Sequence, residues 1–156
     1  MFVAHREKGF TIAELITVVA IIGVLATLVF PTARFGLRRQ KEIELRERLR
    51  KITNAIDRYH DLRVAGQIKD PADVTQGDYP KDLDELMEGV ELMDGKIVKF
   101  LRERDLTDPM TGKKEWDFKS STDDRDSSFT DGNNIFDVHS TSTAKSLDGK
   151  TTYDEW

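Results

Sequence analysis

From Phe10 to Phe30 the chain is apolar at almost every position, and from Arg34 onward it is strongly charged with apolar residues only at intervals. The two halves of that pattern predict two kinds of helix. As a helix, the first run rises about 1.5 Å per residue and reaches roughly 32 Å, enough to cross the hydrocarbon core of a bilayer. A secretory signal peptide has a shorter apolar region that ends at small residues in an A-x-A-like pattern, and "TLVFPTARFG" offers no such site. Phe10 to Phe30 therefore reads as a retained membrane segment. Its one ionisable residue is Glu14.

In the charged half, Leu45, Leu49, Ile52, Ile56 and Tyr59 recur at alternating spacings of four and three, which makes one apolar stripe on a helix. The outer faces carry Glu42 with Arg46 and Glu44 with Arg48, ordered at i, i+4 to support that helix. This charge run is either a solvated face or a packing surface for neighbouring helices. Only Pro31 and Gly36 interrupt the pattern before Gly66, so the sequence predicts one rod of about 50 residues, kinked or loosened at Pro31.

A polar loop then leads to "DYPKDLDELMEG", where a short helix is expected from Pro80, with Leu83, Leu86 and Met87 on one face. "KIVKFLRERD" repeats that spacing through Ile97, Phe100 and Leu101, as a second short helix or a continuation of the first. "DPMTG" reads as a turn, "EWDF" and "NNIFDVHS" as short strands, and "SSTDDRDSSFTDG" as a stretch rich in turn formers. The tail turns at Asp148-Gly149, and its terminal Trp156 is expected to pack.

Composition narrows the chemistry. The 156 residues leave room for one small domain after the apolar run. Without cysteine, a disulfide scaffold, a thiolate metal site and a cysteine nucleophile are all excluded. A net charge of -5 argues against direct nucleic-acid binding. The charge is uneven: Arg34 to Lys51 holds eight basic and three acidic residues, while the tail from Ser120 is mostly acidic and neutral. His5, His60 and His139 are scattered, and no H-E-x-x-H, G-x-S-x-G or Gly-rich phosphate loop occurs. Asp137, His139 and Ser140 are triad residue types, but strand neighbours alternate in direction, so adjacency does not make a triad. No enzyme is expected.

"KGFTIAELITVVAIIGVLATLVFP" closely resembles the leader junction and hydrophobic helix of type IV pilins and type II secretion pseudopilins. The resemblance implies cleavage of the leader after Gly9 by a prepilin peptidase and N-methylation of Phe10. "DYPKDLDELMEG", "DPMTGKKEWDF" and "IFDVHSTSTAKSLDGKTTYDEW" look like the major, G-type pseudopilin of type II secretion. The chain also lacks the C-terminal cysteine pair usual in type IVa pilins.

The implied fold is α+β and pilin-like, with a long N-terminal helix packed on a small antiparallel sheet with a C-terminal loop. Its parts are a leader (1–9), a transmembrane and assembly helix (10–31), an amphipathic continuation (32–65) and a periplasmic head (66–156). The implied function is polymerisation into a short filament that drives protein export across the outer membrane. Implied partners are further copies of itself, the inner-membrane assembly platform, minor pseudopilins and the lipid bilayer. The alternatives are a type IV pilus-like filament for DNA uptake, adhesion or motility, and a membrane-tethered minor pilin acting as a binding module.

Cleavage would create an α-amino group on Phe10 with an ordinary pKa of about 7.7 to 8.0 at the mouth of an apolar helix. Buried in a bundle without a partner, it would cost several kcal/mol, and a neighbour's Glu14 offers that partner. Glu14 then sets filament registry. A carboxylate near a helix N-terminus is also favoured by the dipole alone, which is the blander alternative. Counting positive charges puts the head in the cytoplasm, because Arg34, Arg38, Arg39 and Lys41 outnumber Arg6 and Lys8. The resemblance implies the opposite, a cytoplasmic leader and a periplasmic head, and leader and head motifs agree on it.

G-type pseudopilins hold a calcium ion in the C-terminal loop, and Asp137, Ser140, Asp148 and Asp154 are the hard oxygens available here. No EF-hand spacing is present, and "VHSTSTAKSLDG" departs from the usual glycine- and aspartate-rich loop.

Overall fold

The protein is described by a computed structural model over residues 9–69, 78–123 and 132–156, and for residues 28–33 by the helical backbone only. The chain is mixed α+β and divides into two units, Met1–Arg39 and Gln40–Trp156. Helix α1 spans Ile12–Val64. It starts at Thr11, whose carbonyl accepts the N–H of Leu15 as the first bond of the helix and whose side-chain oxygen accepts the N–H of Glu14 at 3.2 Å, so one otherwise orphaned donor of the first turn is satisfied. It stops at Gly66, which has φ 66°. There the N–H groups of Gly66 and Gln67 return to the carbonyls of Arg63 and Leu62, a left-handed closure that glycine adopts without a Cβ penalty. The kink expected at Pro31 falls within 28–33, outside the described side chains.

In the first unit, every large apolar side chain described between Phe10 and Leu25 is exposed, from 46 % at Val18 to 82 % at Phe10. The apolar surface runs all round the helix rather than along one stripe, the pattern of a helix that is buried in something. Among the described residues no helix is long and apolar enough to cross a membrane. The apolar stretch of α1 with described side chains ends at Thr27, short of the roughly 20 residues a crossing takes.

The second unit holds the core. Leu45, Ile52, Ile56 and Tyr59 are buried and Leu49 packs against them, the stripe expected from their spacing. Helix α2, Leu83–Glu88, is capped by Asp82, whose side chain accepts the N–H of Glu85, and it buries Leu83 and Leu86 against that stripe. The helix starts after Asp82 rather than at Pro80, because Asp82 supplies the cap oxygen and Pro80 does not.

"KIVKFLRERD" is not an α-helix. Its residues Ile97–Val98 form β2, antiparallel to β1, Val90–Glu91, with Val90 opposite Val98. Glu103–Leu106 is a 3-10 turn. The N–H groups of Phe100 and Leu101 both go to the carbonyl of Leu86, so the backbone here is satisfied from α2 rather than from within. Gly89 lies at the crossing: with φ 89°, an added Cβ would sit 2.6 Å from the Val98 carbonyl oxygen.

The two expected strands form and pair with each other. β3, Trp116–Lys119, runs antiparallel to β4, Asp137–Ser140, with Trp116 opposite Ser140 and Lys119 opposite Asp137. Trp116 buries its indole and donates Nε1–H to the Leu106 carbonyl at 2.7 Å, so the polar end of a large apolar group is satisfied. Most of the stretch expected to be turn-rich, 124–131, lies outside the described residues.

Candidate functional site

Among the described residues of the N-terminal segment, the apolar surface carries one ionisable side chain, Glu14. Thr17 donates its hydroxyl to the Ala13 carbonyl at 2.8 Å and Thr27 to the Val24 carbonyl at 2.7 Å, so both polar side chains are absorbed by the helix's own backbone. Glu14 has no such outlet. It is exposed, and its carboxylate takes no hydrogen bond from the described residues. Thr11 and Glu14 stand at the spacing of a capping box, S/T-x-x-E. Only the Thr11 half of it is made among the described residues, because Glu14 gives its N–H to Thr11 and its side chain does not reach back. The carboxylate is therefore exposed at the start of an apolar cylinder, with no hydrogen-bond partner among the described residues.

Residues 4–30 match the protein family described as the prokaryotic N-terminal methylation motif. The chain carries a type IV pilin-like prepilin signal. No curated protein and no solved structure matches it. The motif spans the Gly9-Phe10 junction and Glu14, and it implies processing by a prepilin peptidase and assembly into a pilus or pseudopilus. The motif points to a structural subunit. The leader residues 1–8, His5 among them, lie outside the described residues.

At the other end of the chain, the four oxygens considered as calcium ligands are already engaged or apart. Ser140 is fully buried and donates its hydroxyl to Asp108 Oδ2 at 2.7 Å, while its oxygen accepts the N–H of Ser142. Asp137 accepts the N–H of Val138 at 2.9 Å and lies 3.6 Å from Nε2 of His139. Asp148 accepts the Ser146 hydroxyl and the N–H groups of Lys150 and Thr151. These bonds, with Ser146 first and Lys150 next, hold its carboxyl below the usual aspartate range. Asp154 is exposed in the closing 3-10 turn, Tyr153–Glu155. Among the described residues no three histidine or acidic side chains form a group that could hold a metal ion. Donors that already accept N–H and O–H bonds do not offer the six to eight free oxygens calcium takes, so this set does not fit the ion.

The triad residue types do not assemble either. Ser140 spends its hydroxyl on Asp108, and His139 directs Nδ1 to the Trp156 carbonyl oxygen at 2.8 Å. Three groups that the sequence reading passed over do organise the head. Asp105, nearly buried, takes Arg48 at 2.7 Å and Lys51 at 3.3 Å and so ties the 3-10 turn to α1. Asp108 closes the "DPMTG" turn by accepting the N–H of Met110 at 2.7 Å, the local bond for which aspartate is favoured in turns. Glu85 accepts the Tyr59 hydroxyl at 2.7 Å, and burial together with that carboxylate holds the phenol above its ordinary range.

Proposed function

We propose that this protein is the major pseudopilin of a type II secretion system, a filament subunit that helps push exported proteins toward the outer membrane. The reading rests above all on one observation: an apolar surface from Phe10 to Leu25, exposed on every side, whose one ionisable side chain is the exposed Glu14. Exposed apolar surface of that extent belongs to an interface. It would serve twice, first as an inner-membrane anchor with the head in the periplasm, then as the packed centre of the filament.

In this mechanism a prepilin peptidase removes residues 1–9, Phe10 is methylated, and the new amine of an incoming subunit finds Glu14 of a subunit already in place. The pair adds little net stability, since both ions are desolvated, but a mismatched register leaves both unpaired at a cost of about 3 to 5 kcal/mol. Subunits are added at the inner-membrane platform, and minor pseudopilins share the same helix. The likeness of "DYPKDLDELMEG" and "DPMTGKKEWDF" to the major pseudopilin is what favours the secretion branch; here these stretches form the capped α2 and an aspartate-closed turn.

Deleting the gene should retain exported proteins in the periplasm, and a plasmid copy should restore their release. Normal secretion with loss of motility, adhesion or DNA uptake would move the protein to the pilus branch.

A further inference from the structure

The C-terminal segment is held by α1, and the holding group is Glu42. Its Oε1 accepts the backbone N–H of Leu147 at 2.6 Å and the hydroxyl of Tyr153 at 2.8 Å, groups more than a hundred residues away. Between those two points the chain folds back on itself: Lys145 pairs with Thr152, Ser146 N–H donates to the Thr151 carbonyl and Tyr153 N–H to the Ala144 carbonyl. The turn of this hairpin is closed by Asp148, with Gly149 at φ 68°. One helical turn along α1 from Glu42, Arg46 places its guanidinium 4.2 Å from the centre of the Trp156 ring. Trp156 also meets Tyr153 edge-on and donates Nε1–H to Thr151 at 2.9 Å. The Leu147 N–H, the Tyr153 hydroxyl and the Trp156 indole N–H thus each have a protein partner.

We propose that in this chain Glu42 does what a bound cation does for a loop: it gathers the C-terminal hairpin onto α1, so that the segment folds and stays docked without a divalent ion. A single carboxylate oxygen with two donors at these distances is a charge-assisted node. The misfit between the oxygen donors of the tail and calcium is the counterpart of that node. Glu42 and the hairpin both lie in the second unit, Gln40–Trp156, whichever filament the protein builds.

Hydrogen exchange read by mass spectrometry on the full chain in detergent tests it. Wild type in millimolar calcium and in EGTA should show the same exchange across residues 141–156 and coincident melting curves. Glu42→Ala should speed exchange around Leu147 by roughly ten- to a hundred-fold, the effect of losing bonds to a charged acceptor, and leave Phe118 and Ile135 unchanged. Glu42→Gln keeps an acceptor oxygen without the charge and should fall between the two. Slower exchange or a higher melting temperature of the wild type in calcium would overturn the proposal. So would unchanged exchange around Leu147 in both variants. If Glu42→Ala fails to fold, the wild-type comparison and the Gln variant still decide.

Discussion

Replacing Glu14 by leucine is expected to abolish filament assembly while leaving the protein in the membrane. The substitution removes the one ionised group from an apolar surface, so insertion loses nothing and gains the relief of a desolvation cost. Assembly loses the partner of the Phe10 amine in every incoming subunit, an uncompensated buried charge of about 3 to 5 kcal/mol at each addition. The half-made cap at Thr11 introduces a competing role for Glu14, as the third residue of the first turn. Glu14→Gln separates the two roles, because glutamine serves a capping box as well as glutamate does but carries no charge to pair with an amine. Registry predicts failure for Leu and Gln alike and weak assembly for Glu14→Asp, which keeps the charge on a shorter side chain. Capping alone predicts a loss of a few tenths to 1 kcal/mol and normal filaments. Filament counts by electron microscopy, at matched membrane levels, read the difference.

The largest loss of stability in the head is expected at Asp108. Its side chain is fully buried and serves two donors, the Ser140 hydroxyl and the Met110 N–H. Asp108→Ala leaves both donors without an acceptor, and Ser140 is itself fully buried. Stranded buried donors that had a charged partner cost about 2 to 4 kcal/mol. For a domain of this size that lowers the melting temperature by on the order of 10 °C. Asp108→Asn should lose less, since its carbonyl oxygen still accepts from Met110 and its amide can turn the Ser140 hydroxyl into an acceptor. Thermal unfolding of the detergent-solubilised chain is the measurement, and an unchanged Asp108→Ala melting curve would contradict the assignment.

Regular spacing was readable in this chain where it alone decides the structure. The stripe from Leu45 to Tyr59 needed only a helical period, and the core follows it. Trp156 was expected to pack, and it does, against Tyr153 and Arg46. The same rule misread Ile97, Phe100 and Leu101, whose spacing fits a helix. Spacing is blind to the backbone: Gly95 at φ 81° turns the chain so that β2 pairs with β1, and Leu86 then takes the next N–H groups.

Charged side chains were read less well, because their partners are chosen in three dimensions. Glu44 does meet Arg48 at 3.2 Å, as its i, i+4 spacing suggests. Glu42 and Arg46 have the same spacing, yet Glu42 holds Leu147 and Tyr153 while Arg46 covers Trp156. Nothing local marks one pair for the helix surface and the other for the tail. At the N-terminus the limit is different. The T-x-x-E pattern of "TIAE" is a helix-start signal, and Thr11 is the cap it marks, beside a carboxylate that the same four residues offer for registry.

The central claim is that this chain is a processed subunit whose first residue is Phe10. Mass spectrometry of the N-terminal peptide, taken from filaments sheared off cells that overexpress the protein, tests it most directly. The account predicts a first residue of Phe10 carrying one methyl group on its amine, with residues 1–9 absent. Filaments built from chains that still begin at Met1 would contradict it.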